Sequence, residues 1–244
     1  MGHGIYTALS GAIAQQRALE VVANNVANVN TVGFRADRVS FKATLGRDIQ
    51  GTPDRAQRFV EVDAIKPENW QGRLEETGNK LDVALMGPGF LAVEGPGGEG
   101  ERYTRAGHLV TDAEGTIRTV QGRAVLDEGG STLSVPPDTR GIEIKYDGEI
   151  LLDGESVGRL KLVEFAQPTD LEKEGATLYR APDGMEPQDP ENTQVMQGNL
   201  EYPSHNGVAG VTGLITASRQ FAAFQKLIQT FKQLDERAAR SLAR

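Results

Sequence analysis

Cysteine is absent from this chain of 244 residues. Without cysteine the chain has no disulfide framework and no thiolate chemistry. Long apolar runs are also missing, so no segment reaches the roughly 20 residues that a membrane-spanning helix needs. The first residues, 1 to 4, lack the basic stretch and the continuous apolar core of a cleavable signal peptide. We therefore expect a protein that neither spans a membrane nor carries a cleaved signal.

The chain also has no excess of basic residues. The chain has 26 basic and 34 acidic residues, a net charge of -8, and its basic residues do not cluster. Nucleic acids and anionic membranes attract proteins through basic patches. The composition therefore argues against either as the main partner.

Motifs of the common enzyme classes are missing too. Residues 95–100 satisfy the letters of G-x-G-x-x-G, but they join two strand-like runs and carry Glu99 where a phosphate would sit. A dinucleotide loop joins a strand to a helix, so a hairpin loop is the better interpretation. His3, His108 and His205 are too far apart for metal-ligand spacing. We expect no enzyme activity, no cofactor and no metal site.

What the chain does contain is an apolar stripe near each end. Beyond residue 208, apolar residues recur at alternating spacings of three and four, which is the seam of a long helix. The seam is Leu214, Ala217, Phe221, Phe224, Ile228 and Phe231, widened by Leu227 and Leu234. A second helical stripe runs through residues 5–29 and consists of Ile5, Leu9, Ala12, Leu19, Val22 and Val26.

Both stripes lie on helices with few charges. Between residues 208 and 231, for instance, the only charged residues are Arg219 and Lys226. A helical stripe is more often core than docking surface, but a simple hairpin should have charged outer faces. The two ends are therefore expected to pair with each other and then with other copies. We also expect them to be loose in the monomer and to become ordered on assembly.

Asparagines mark the end of the first helix. Asn24 and Asn28 share a face, and two interpretations are open. In the first interpretation the helix frays there, with Asn30 or Gly33 supplying the left-handed residue that stops it. Alternatively, buried asparagines fix the register against a neighbouring helix.

The middle of the chain predicts β-structure. Short strand-like runs separated by turns fill residues 81–180, which is typical of an antiparallel sandwich or barrel. Residues 34–80 are predicted to be an extended connector, although residues 59–63 alternate like a strand, and residues 181–207 a return linker. The predicted fold class is α+β: terminal helices 1–33 and 208–244 pair as a coiled-coil-like assembly domain around an all-β middle domain.

Several stretches resemble flagellar basal-body rod and hook proteins. Residues 23–35 are similar to their N-terminal signature, and residues 82–90 to the segment that opens their middle β domain. Residues 103–107, 122–126 and 197–201 continue the resemblance, which therefore covers almost the whole chain. The motif positions are Asn25, Ala27, Thr31, Gly33, Phe34, Asp82, Gly87, Gly89 and Phe90.

The resemblance implies a structural subunit that is exported through the flagellum's own type III pathway, without signal cleavage, into the rod that crosses the periplasm. It implies copies of itself and neighbouring rod proteins as partners, with the terminal helices forming an inner tube. The compact interval between the signature and Asp82 favours a proximal-rod member over a distal-rod member. Residues 202–206, Phe221 and Phe231 depart from the usual pattern of the family.

Two alternatives stay open: a distal-rod or hook-like axial protein, and a β-rich secreted binding module whose helices only dimerise it. The predicted assembly interface comprises Ile5, Leu9, Ala12, Leu19, Val22, Asn24, Val26, Asn28, Leu214, Phe221, Phe224, Leu227, Ile228, Phe231 and Leu234.

Overall fold

The computed structural model describes residues 3–46, 57–68, 70–136 and 141–242. The chain divides into two compact units. The helical unit comprises Met1–Ala27, Asp37–Pro67 and Asn206–Arg244, and the β unit comprises Asn28–Ala36 and Glu68–His205. The chain therefore passes from one unit to the other four times.

Two long helices, α1 (His3–Ala27) and α2 (Gly207–Leu242), dominate the helical unit, as the apolar stripes predict. They pair in antiparallel fashion, because Gly4 lies against the ring of Phe231 while Gly210 lies against Val26. The side-chain oxygen of Asn206 accepts a hydrogen bond from the backbone nitrogen of Val208 at 2.9 Å. This is an N-cap, which satisfies a backbone donor of the first turn of α2.

The same unit contains an antiparallel hairpin of β1 (Asp37–Gly46) and β2 (Gln57–Pro67). These residues were predicted to be an extended connector, and the structure corrects that prediction. Apolar residues at alternate positions of the two strands pair across the hairpin, as Val39 does with Ile65 and Ala43 with Val60. Such cross-strand pairs stabilise a sheet, but they are invisible when each run is considered alone.

Antiparallel pairing runs through the β unit. The strands are β3 (Arg73–Glu76), β4 (Val83–Met86), β5 (Phe90–Glu94), β6 (Glu101–Thr104), β7 (Leu109–Thr111), β8 (Ile117–Thr119), β9 (Ile142–Ile144), β10 (Glu149–Leu152), β11 (Glu155–Arg159), β12 (Leu162–Val163), β13 (Glu172–Glu174), β14 (Leu178–Arg180), β15 (Gln194–Gln197) and β16 (Asn199–Tyr202). One sheet has the order β12-β5-β6-β14-β13, a second has the order β11-β10-β9, and the pairs β15-β4, β16-β3 and β7-β8 complete the set within the described residues.

The α+β class is therefore confirmed, and the boundaries of the β region are wider than predicted. Strands β15 and β16 lie within residues 181–207, which were predicted to be a return linker. They pair with β4 and β3, so the end of the β unit closes onto its beginning. The loop at residues 95–100 joins the paired strands β5 and β6, as a hairpin loop should.

Two groups of buried side chains form the core of the β unit. The larger is aliphatic and includes Leu91, Ile117 and Ile150, each fully buried. The smaller is aromatic, and the rings of Phe90 and Tyr179 meet edge to face with centroids 5.5 Å apart.

Candidate assembly surface and junction cluster

The predicted seam of α2 is occupied within the chain. Leu214, Phe221, Phe224, Ile228 and Phe231 are half-buried, and Ala217 is buried. Phe224 and Phe231 lie against Gly11 and Gly4 of α1. The seam therefore serves first as the contact between the two helices of one chain.

Most of the predicted interface residues of the N-terminal stretch are also covered within the chain. Ala12 is buried, and Ile5, Leu19, Val22 and Val26 are half-buried, as is Asn28 in the β unit. Of the predicted interface, Leu9, Asn24, Leu227 and Leu234 are exposed.

A larger set of apolar side chains of the helical unit remains in contact with water. We call this set the exposed apolar surface: Tyr6, Leu9, Ile13, Phe41, Val60, Ile65, Val208, Val211, Ile215, Leu227 and Leu234. Contiguous exposed apolar patches are a feature of interaction sites, so this set is the candidate assembly surface. Most of those on the helices were missed from the sequence because the heptad rule selects the seam, which the chain covers by itself. Phe41, Val60 and Ile65 lie on β1 and β2, to which no interface was assigned.

Charge is divided unevenly between the two units. The helical unit contains 13 basic and 8 acidic residues, whereas the β unit contains 13 basic and 26 acidic residues. The formal net charges are therefore +5 and -13. The overall charge of -8 conceals this division.

Asn25 is the buried asparagine of the N-terminal signature, whereas Asn24 is exposed and Asn28 half-buried. Its side-chain nitrogen donates to the carbonyl oxygen of Asp37 at 2.9 Å, and its side-chain oxygen accepts from the backbone nitrogen of Asp37 at 2.9 Å. Neither interpretation of Asn24 and Asn28 had named Asn25. Asn25 fastens the end of α1 to the first residue of β1.

Within the β unit, a buried carboxylate gathers several segments of the chain. Glu201 of β16 is 2% exposed. One of its carboxylate oxygens lies 2.7 Å from Nε of Arg105. The other accepts from the backbone nitrogen of Gly72 at 2.7 Å and lies 3.2 Å from a guanidinium nitrogen of Arg35. The backbone oxygen of Glu201 accepts from the nitrogen of Gly33 at 2.8 Å. We call Gly33, Arg35, Gly72, Arg105 and Glu201 the junction cluster.

Arg105 is fully buried and uses its whole guanidinium group. Besides Glu201, it donates to the carbonyl oxygens of Leu85, Gly87 and Gly89. Two motif glycines, Gly87 and Gly89, therefore supply backbone acceptors to this arginine. A buried guanidinium is tolerated because its donors are paired in this way.

The guanidinium group of Arg35 has fewer hydrogen-bond partners than that of Arg105. Its Nη1 is buried and has no hydrogen-bond partner among the described residues. Burial, together with the nearby charge of Arg105, lowers the pKa of Arg35 to about 10, and Glu201 offsets only part of this effect. Two guanidinium groups thus share one carboxylate.

Glycine is required where the connecting segments press against the cluster. Gly33 has φ 72°, and a side chain there would lie 2.3 Å from the backbone nitrogen of Ala106. A Cβ at Gly72 would lie 1.9 Å from the carbonyl oxygen of Tyr202. Beside Gly33, the buried ring of Phe34 carries the ammonium group of Lys173 at 4.1 Å from its centroid.

Asp82, another motif residue, organises the turn before β4. Its carboxylate accepts from Thr77 and Asn79 and lies 2.6 Å from Nδ1 of His108. Among the described residues, no group of His, Asp and Glu side chains has the arrangement of a metal site. In the same part of the chain, no helix is long and apolar enough to cross a membrane.

Trp70, the single tryptophan, is 73% exposed and lies in the β unit two residues before Gly72.

The charged residues of the junction cluster were missed from the sequence: the motifs contained Arg35, Arg105 and Glu201, but no role was assigned to them. The one sequence signal that could have found them is that these three charged residues lie inside stretches rich in glycine and other small residues.

Comparison with known proteins gives a consistent family. Residues 5–35 match the family model described as "Flagella basal body rod protein", and residues 84–152 match that of the "Flagellar hook protein FlgE/F/G D1 domain". The chain is 31% identical over 245 residues to the flagellar basal-body rod protein FlgF of Caulobacter vibrioides, covering 100% of this chain and 99% of the relative. It is 33% identical over 260 residues to FlgG of Agrobacterium fabrum, covering 96% and 97%. It is also 32% identical over 255 residues to FlgF of Escherichia coli, covering 99% and 97%.

Proposed function

Because the chain belongs to the flagellar basal-body rod protein family, we propose that it is a structural subunit of the proximal rod that polymerises through its helical unit. The similarity to FlgF and FlgG relatives extends over nearly the full length of both chains. A structural rod subunit of the flagellar basal body is the function that this similarity supports.

The proximal position is favoured by the lengths of the alignments. The alignment to FlgF of Caulobacter vibrioides needs 245 positions for all of this chain. The alignment to FlgG of Agrobacterium fabrum needs 260 positions for 96% of it, so the FlgG relative contains insertions that this chain lacks. The compact interval between the signature and Asp82 points in the same direction.

The exposed apolar surface of the helical unit is the observation that carries the mode of assembly. Fully burying one Leu, Ile or Phe side chain contributes about 1.5 to 3 kcal/mol. Several such side chains covered by neighbouring copies are therefore a strong drive to associate. A contact repeated head to tail without closing produces a helical array, which is the geometry of a rod.

The partners are then further copies and the neighbouring rod proteins. Export through the flagellar type III machinery without signal cleavage, and a final position in the periplasm, complete the proposal. The chain would thereby help to transmit torque across that space. Order gained by the terminal helices on assembly is part of the same proposal.

Two substitutions on the exposed apolar surface test the assembly. Ile13→Asp and Ile215→Asp place a charge where a neighbouring copy should dock, at side chains 54% and 50% exposed in the monomer. We expect each variant to keep its helical circular dichroism and to lose assembly into basal bodies. The matched controls are Gln16→Asp and Gln220→Asp, which change exposed polar residues of the same helices.

The cellular readout is motility and electron microscopy of purified basal bodies, in a strain lacking its own proximal-rod protein. If both isoleucine variants assemble as well as their controls, this surface is not the interface. Restoration of motility in a strain without FlgG, and not in one without FlgF, would assign the chain to the distal rod instead.

A further inference from the structure

The junction cluster lies where the chain enters and leaves the β unit. Arg35 stands two residues before β1, and Gly72 follows the end of β2 by five residues. Glu201 stands six residues before the first residue of α2. One carboxylate therefore contacts the connection before the hairpin and the connection after it, and itself belongs to the strand that leads to α2.

Backbone bonds join the same connections to each other. The nitrogen of Glu68 donates to the carbonyl oxygen of Ala36 at 2.8 Å. Nδ1 of His205 lies 3.8 Å from the carboxylate of Glu68. Asn28 and Thr31 close a turn through a backbone bond of 3.0 Å, which leads the chain from α1 to Gly33. The segments at residues 36, 68 and 205, where the chain passes between the units, are therefore bonded to one another. The segment at residue 28 leads directly to Gly33 of the junction cluster.

We propose that Glu201 is a positioning residue whose carboxylate, held by Arg35 and Arg105, clamps the connecting segments so that force arriving along them enters the β unit at one ion-paired cluster. This inference rests on the proposed function, because a subunit of a rotating shaft must keep its connections fixed under load.

Ion pairing suits this role better than apolar packing. Apolar contact is non-directional, whereas charge-assisted hydrogen bonds fix both distance and angle. A buried ion pair is weak evidence for stability, since its desolvation opposes its attraction. The lowered pKa of Arg35 shows that burial disfavours its charge. We therefore expect Arg35 to act chiefly on the geometry of the connections.

Amide hydrogen exchange of the full chain tests the clamp directly. In Arg35→Met, we expect exchange in residues 28–36 and 70–76 to become about tenfold faster or more, while strands β8 and β10 keep their protection, because only the connections are released. Arg118→Met is the matched control, since it removes an arginine that pairs with Asp112 at 2.6 Å outside the cluster. Its connections should exchange as in the unsubstituted chain.

Glu201→Gln should have the same local effect with a larger amplitude, because it removes the anion that both arginines share. If that variant unfolds, Arg35→Met still decides the question. Unchanged exchange of residues 28–36 in Arg35→Met, or an equal loss of protection throughout the β unit, would overturn the clamp.

A cellular measurement separates the clamp from assembly. Cells with Arg35→Met should form basal bodies and swim in dilute buffer, but should lose motility in viscous medium at a load that the unsubstituted chain tolerates. Equal motility under load would contradict the inference while leaving the rod function intact. Failure of the unsubstituted chain to enter basal bodies would instead contradict the rod function, whatever the exchange data show.

Discussion

At the scale of single residues, the side chain of Asn25 makes the pair of hydrogen bonds to the backbone of Asp37 that a neighbouring strand would otherwise make. Its side-chain NH2 group donates to the carbonyl oxygen of Asp37, and its side-chain oxygen accepts from the backbone nitrogen of the same residue. Aspartate has no donor in its ionised form, and glutamine is one methylene longer. The position therefore requires asparagine for a geometric reason, and the identity of this motif residue follows from its two bonds.

We predict that Asn25→Asp lowers the free energy of unfolding of the helical unit by about 1 to 3 kcal/mol, because a buried acceptor loses its partner and a carboxylate faces a carbonyl oxygen. Urea unfolding followed by helical circular dichroism gives the value. The control is Asn30→Asp, an exposed position of the same signature, which should change stability by less than about 0.5 kcal/mol. Equal effects at the two positions would remove the special role of Asn25.

At the scale of elements, small residues set the register of α1 against α2. Gly4 and Gly11 are one heptad apart, and they receive the rings of Phe231 and Phe224, which are also one heptad apart. A Cβ at Gly11 would lie 2.5 Å from the ring of Phe224. At Gly213 of α2, a Cβ would make an ordinary contact with Val22 at 3.7 Å.

We therefore predict opposite signs for the same substitution at these two glycines. Replacing glycine by alanine in a helix normally stabilises it by about 0.5 to 1 kcal/mol, which is the result expected for Gly213→Ala. Gly11→Ala should instead lower the melting temperature, because the ring must move, and Phe224→Leu in the same chain should restore part of the loss. A stabilising Gly11→Ala would show that the ring yields without cost.

How much of this could be foreseen from the sequence differs between the elements. Both helices followed from the spacing of Phe221, Phe224, Ile228 and their counterparts, since apolar periodicity is a local property of the chain. The hairpin followed only in part: residues 59–63 of β2 alternate like a strand, but its pairing with β1 was not predicted. The evidence for that pairing lies in pairs such as Val39 with Ile65 that become neighbours only after folding. The junction cluster was missed for the same reason: Arg35, Arg105 and Glu201 meet across 166 residues of sequence.

At the scale of the whole molecule, charge divides the chain as clearly as the fold does. The β unit carries a formal charge of -13 and the helical unit +5. In the proposed assembly through the helical unit, each copy also brings an acidic β unit. Like charges repel over a distance set by the salt concentration.

We predict that salt promotes self-association of the purified chain. The screening length falls from about 30 Å at 0.01 M to about 8 Å at 0.15 M salt, so the repulsion between β units weakens over that range. Light scattering at constant protein concentration should rise with added sodium chloride. A fall in scattering would indicate that the basic helical unit of one copy attracts the acidic β unit of another.

Trp70 is an intrinsic fluorescent probe of the molecule. Its indole stands largely in water, and no other residue of the chain shares its fluorescence. The colour of that emission depends on how polar the surroundings of the ring are. The molecule thus contains its own optical reporter beside the point where the chain re-enters the β unit, and its emission reports the surroundings of that point without an attached dye.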